Sequence, residues 1–176
     1  TPSYALEATA PLTATDGTIS DSRYLKCANA VADASNINNA ISALSTNGGT
    51  LHLEGPCLIN ASVILKTDVL LSCTEGTVLK ANQALAGGML IADNTSGTNK
   101  VIKNAGVENC QFDMDDKNNG TGGFSAIYMA GTNIGDPAIY ASAPTINTNR
   151  TKIENFTVRN VKIYDTSIAV NDHTTG

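Results

Sequence analysis

Acidic side chains lie closest together at Asp113, Asp115 and Asp116. Acid–base work on sugars needs two carboxylates, or a carboxylate with His or Tyr, held a short distance apart. In the alternation Phe112-Asp113-Met114 the two apolar side chains turn inward and Asp113 turns outward, while Asp115 and Asp116 open the loop that follows. All three are candidate sugar-binding residues, and their oxygens also suit a calcium ion. A solvated turn is the ordinary alternative, and no other cofactor is expected. A second group lies near Gly176: Asp165, then Asn171-Asp172-His173-Thr174. Asp172 and His173 are its candidate catalytic pair, against the simpler reading of a polar turn. His52, the other histidine, sits between Leu51 and Leu53 on a strand pattern, so it faces away from the core. A surface or cap contact is expected there. The sequence contains no Ser-His-Asp order, phosphate-binding loop or metal-ligand spacing.

These residues need elements to hold them. Residues 1–34 carry weak periodicity and read as an extended leader. Over 35–47, Ile37, Ala40, Ile41 and Leu44 follow the spacing of an amphipathic helix, which Ser35 or Asn36 would cap and Gly48-Gly49 would end. After Gly49 the pattern changes to short apolar runs, among them Leu58-Ile59, Val63-Ile64-Leu65, Val69-Leu70-Leu71 and Val78-Leu79, each bounded by turn-forming residues. The segment from Ile102 to Phe112 then repeats from Ile153 to Ile163: both read I-x-N-x-x-V-x-N, followed by apolar, polar, apolar. Such self-similarity signals stacked units. The repeat places Val107 beside Val158 and Asn109 beside Asn160. A fainter copy begins at Ile64, with Val69 standing for Val107. Insertions after Asp115 and between Gly131 and Thr148 lengthen the units and would gather on one face.

Composition agrees with stacked strands. Hydrophobic residues make up 41% and charged residues 15%, with no Trp, so a core must come from Ile, Val, Leu and Ala. A net charge of −5 disfavours nucleic acid as a partner. No stretch reaches the roughly 20 apolar residues of a membrane span. The four cysteines, Cys27, Cys57, Cys73 and Cys110, form no CxxC pair. They permit three disulfide connectivities or buried free thiols. Cys73 and Cys110 hold similar places in consecutive units, which favours Cys73–Cys110 and leaves Cys27–Cys57. Asn-x-Ser/Thr triplets at Asn60, Asn94, Asn119, Asn149 and Asn155 are candidate glycosylation sites in a chain where such triplets also arise by chance.

The order over residues 35–81 is a helix, Asn47-Gly48-Gly49-Thr50, a strand, Gly55-Pro56, then Leu58-Ile59, Val63-Ile64-Leu65-Lys66, Asp68-Val69-Leu70-Leu71 and Thr77-Val78-Leu79-Lys80-Ala81. This resembles the N-terminal cap and first coils of the pectin-lyase-like family of right-handed parallel β-helices, which includes polygalacturonases, tailspike depolymerases and mannuronan epimerases. The resemblance implies an all-β solenoid over residues 35–176 with an N-terminal capping helix. It also implies an extracellular or cell-surface protein that recognises or processes polysaccharide. Two departures stand out. The Asp-Asp-Thr of many relatives is replaced by Ala32-Asp33-Ala34-Ser35. Near Gly176, His173 fits the family's catalytic histidine, but Asn171 and Ile168 stand where an Asp and a Tyr are expected. The alternative is a non-catalytic subunit of a fibre, adhesin or coat. With no terminal cap legible before Gly176, self-association through that end is also expected.

Overall fold

Short apolar runs broken by Gly, Asn, Asp and Thr fold as strands that each stop at a corner. The computed structural model describes residues 7–8, 12–13, 19–83, 85, 88–92, 101–115, 125–129, 152–165 and 170–172. The elements begin with β1 (Glu7–Ala8), β2 (Leu12–Thr13), β3 (Ile19–Lys26) and helix α1 (Asp33–Leu44). Then follow β4 (Gly49–Glu54), β5 (Cys57–Ile59), β6 (Val63–Leu65), β7 (Val69–Cys73), β8 (Val78–Ala81) and β9 (Gly88–Ala92). The remainder are β10 (Val101–Lys103), β11 (Gly106–Glu108), β12 (Gln111–Asp113), β13 (Ser125–Met129), β14 (Lys152–Glu154), β15 (Thr157–Arg159), β16 (Lys162–Tyr164) and β17 (Val170–Asp172).

The protein is all-β in character, with parallel sheets and, among the described residues, one short helix. The largest sheet runs β1-β3-β4-β7-β11-β15, with β2 also on β3. A second sheet holds β5, β8, β12 and β16, a third holds β6, β9, β13 and β17, and β10 pairs with β14. Among the described pairings only β1 and β2 run antiparallel to their partner, β3. From β4 onward the sets β4–β6, β7–β9, β11–β13 and β15–β17 each place one strand in each of the three larger sheets. Strands in such sheets lie about 4.8 Å apart.

Registers follow the repeat. Val107 pairs with Val158, Phe112 with Ile163 and Ile102 with Ile153. The fainter copy is shifted from the sequence expectation: Val107 pairs with Leu71 and not with Val69. The difference arises before β7: Ile64 belongs to β6, which pairs with β9, whereas Ile102 belongs to β10, which pairs with β14, so the two isoleucines are not equivalent. The residue that alternation makes equivalent is two further on.

The main core joins the three larger sheets. Leu51, Leu71 and Val107 are buried in line, and Phe112, Leu79, Ile59, Leu65 and Leu90 fill the space between sheets. Each large side chain contributes roughly 1.5–3 kcal/mol by leaving water. Helix α1 closes one side, burying Ile37, Ile41 and Leu44 with Ala34 and Ala40. It starts two residues earlier and ends three earlier than the periodicity over 35–47 suggests. Neither Ser35 nor Asn36 caps it. The N-cap is Ala32, with no side-chain cap bond, and Ser35 Oγ instead donates to Ala32 O at 2.8 Å. The buried Asp33 carboxylate does the tying: it accepts the N–H groups of Ala28, Ala30 and Leu58 at 3.1, 2.9 and 3.0 Å. At the other end Gly48, at φ +74°, donates its N–H to Leu44 O at 2.8 Å. A Cβ there would meet that of Asp68 at 3.0 Å. The segment read as a leader supplies β3, which pairs in parallel with β4 from Asp21–Gly49 to Lys26–Glu54.

Corners are built from Asn and Asp in left-handed backbone conformation. Asp68, Asn104 and Asn155 have φ of 60°, 50° and 55°, and Asn109 and Asn160 have 59° and 51°. Short polar side chains tolerate this region because they bond locally. Here they also bond along the stack. Asn104 Nδ2 donates to Asp68 Oδ1 at 2.8 Å, Asn155 Nδ2 to Asn104 Oδ1 at 3.1 Å, and Asn160 Nδ2 to Asn109 Oδ1 at 3.1 Å. Two disulfides add covalent ties between passes: Cys27–Cys57 and Cys73–Cys110, each with Cα atoms 5.0 Å apart.

Candidate functional site

Inward and outward side chains alternate along a strand, so parallel registers line up outward residues in rows across a sheet. On the largest sheet Leu51, Leu53, Leu71 and Val107 face in. The row between them reads Tyr24, His52, Ser72, Glu108, Arg159 across β3, β4, β7, β11 and β15. Each neighbour in the row interacts with the next where the chemistry allows. The Tyr24 and His52 rings stack with centroids 4.6 Å apart and planes 17° apart. Ser72 Oγ donates to Glu108 Oε1 at 3.0 Å, and the Arg159 guanidinium donates to Glu108 Oε2.

Burial differs along the row. Tyr24 is 50% exposed, whereas Ser72 and Glu108 are buried. The hydrogen bond from Arg159 holds the Glu108 carboxyl below the usual glutamate range, against the opposing effect of burial, with help from Ser72. Glu108 is thus held as an anion, a poor proton donor. Beside the ring stack, Lys26 Nζ donates to Glu54 Oε1 at 2.8 Å. Tyr24, Lys26, His52, Glu54 and Thr74 line a shallow groove of about 200 Å³. A flat half-exposed aromatic surface with a rim of donors and acceptors is suited to holding a ring that has both apolar and hydroxylated faces.

The acidic residues singled out by sequence lie on the second sheet. Asp113 is in an outward row with Lys80 and Tyr164. Lys80 Nζ stands 3.7 Å from Asp113 Oδ2 and 3.4 Å from Asp115 Oδ2. The two carboxylates, Asp113 first, raise the Lys80 pKa. Burial, and then the charge of Asp113, raise that of Tyr164. The Lys80 ammonium occupies the ground between Asp113 and Asp115 where a calcium ion would compete. Among the described residues no group of three or more His, Cys, Asp or Glu is arranged to hold a metal. Asp116 lies outside the described residues.

Asp172 ends β17, in register with Met129, and Asn171 pairs with Tyr128. His173 lies outside the described residues, as do Asn94, Asn119 and Asn149. Asn60 is half-buried in the corner after β5. The exposed Asn155 uses its side-chain nitrogen in the corner ladder. Sequence reasoning placed His52 away from the core but missed its row. A signal was present: Glu108 and Arg159 occupy the same x of V-x-N in the two repeats, opposite charges at one stacked position.

A scan of family models and searches of curated proteins and of solved structures find no match to this chain. Among the described residues no helix is long and apolar enough to cross a membrane, which says nothing of β-strand spans.

Proposed function

We propose that this chain is part of an extracellular parallel β-helix of the pectin-lyase-like kind, and that it recognises polysaccharide through the outward face of its largest sheet. Three sheets that take one strand each from the sets β4–β6, β7–β9, β11–β13 and β15–β17, with side-chain ladders at the corners, support the β-helix reading. Two disulfides between passes support an oxidising location. The single observation that carries recognition is the half-exposed Tyr24–His52 stack beside its groove.

Binding is favoured over turnover in this region. Glycoside chemistry of the usual kind uses a protonated and an ionised carboxyl on either side of the bond. On this face Glu108 is committed to Arg159 and Ser72, and Glu54 is paired with Lys26. Asp113 and Asp115 clamp Lys80.

The alternative reading is a non-catalytic structural subunit of a fibre, adhesin or coat. One experiment separates the two: calorimetric titration with a panel of neutral and acidic oligosaccharides, with light scattering on the same samples. Saturable binding by a monomer supports recognition. Concentration-dependent assembly without glycan binding replaces it with the structural role.

A further inference from the structure

Which sugars the ring stack accepts is set by the charges around it. Lys26 lies against Glu54, and Arg159 against Glu108, so each cation on this face already meets a carboxylate. A uronate approaching the Tyr24–His52 stack would compete with Glu54 for Lys26 and be repelled by the displaced glutamate. A neutral pyranose faces no such conflict. Its C–H groups can contact the exposed part of the Tyr24 ring, and its hydroxyls both donate to Glu54 and accept from Lys26 without separating the pair.

We propose, building on the recognition reading above, that the groove at Tyr24, His52, Lys26 and Glu54 is selective for neutral hexosyl or pentosyl chains over uronates. Selectivity arises because its cations are internally neutralised. The same pairing gives the preference a handle: Glu54→Gln takes one carboxylate out of the groove and lowers the repulsion that a uronate meets there.

The test uses the whole chain at pH 7.5 and physiological salt, titrated with cello-, xylo- and mannohexaose and with a galacturonate hexamer. Binding of at least one neutral hexamer is expected, weakened about two- to tenfold by Tyr24→Ala and retained by Tyr24→Phe. The galacturonate hexamer is expected to bind about tenfold more weakly, and more tightly to Glu54→Gln. Tyr24 is half-exposed, so Tyr24→Ala is expected to keep the parent melting temperature. Galacturonate bound as tightly as, or more tightly than, every neutral hexamer, with sensitivity to Tyr24→Ala, overturns the selectivity and leaves recognition standing. Binding of neither class overturns both.

Discussion

Glu108 shows how one side chain takes its properties from two neighbouring strands. Ser72 on one side and Arg159 on the other use both carboxylate oxygens, and the hydrogen bond from Arg159 is the larger cause of its lowered pKa. A carboxyl whose folded pKa lies below its unfolded value adds stability above the unfolded value, near 4.3, and loses it as pH falls through the folded value. The melting temperature should therefore fall with acidification below about pH 4.5. Glu108→Gln should have the lower melting temperature at pH 7 and a flatter acid limb over that window. Thermal melts from pH 7 to 3 on both proteins check this, and parallel acid limbs would contradict the assigned role of Arg159. The repeat made position 108 visible as a polar x, but the sign of its partner only acquires meaning once the register places it beside 159. Tyr24 was less legible still, because it lies in a segment of weak periodicity.

At the scale of elements, helix α1 was readable from its apolar stripe. Ile37, Ile41 and Leu44 recur at helical spacing whatever they pack on, and all are fully buried. Its start was not readable, because propensity rules look for a side chain that caps its own helix. Asp33 works differently, as a buried acceptor joining the turn at Ala28 and Ala30, the helix and β5. Removing it strands three donors, each costing on the order of 1–3 kcal/mol where water cannot replace the carboxylate. Asp33→Ala should thus lower unfolding free energy by at least about 2 kcal/mol. Denaturant unfolding measures it, and a change below about 0.5 kcal/mol, the range of ordinary surface substitutions, would show that the three bonds are dispensable. Strand registers depend on corners in the same long-range way. Asn104 and Asn155 were legible as a repeat, whereas the slip between Val69 and Leu71 came from equating Ile64 with Ile102, which lie in different sheets. Gly106 is another such case: a Cβ there would stand 2.4 Å from Thr157 O, a contact known only from the neighbouring strand.

For the whole molecule, parallel strands and a small aliphatic core were legible because composition and the repeat both constrain them. The pairing of Cys27 with Cys57 and Cys73 with Cys110 was one of several arrangements open to the sequence, and becomes definite when β3, β5, β7 and the corner before β12 are in place. The site was least legible. Carboxylates catch the eye in a linear reading, yet Asp113 and Asp115 are engaged with Lys80, while the exposed rings come from residues 24 and 52. Those two meet only through the register of β3 and β4. Hydroxyl-radical footprinting with and without a saturating oligosaccharide tests the central claim most directly, because it reads Tyr24 and His52 side chains in the folded protein. Recognition through the largest sheet predicts that both lose reactivity on adding glycan, while Tyr164 on the second sheet keeps its own. Unchanged reactivity at Tyr24 and His52, or protection confined to Tyr164, would contradict it.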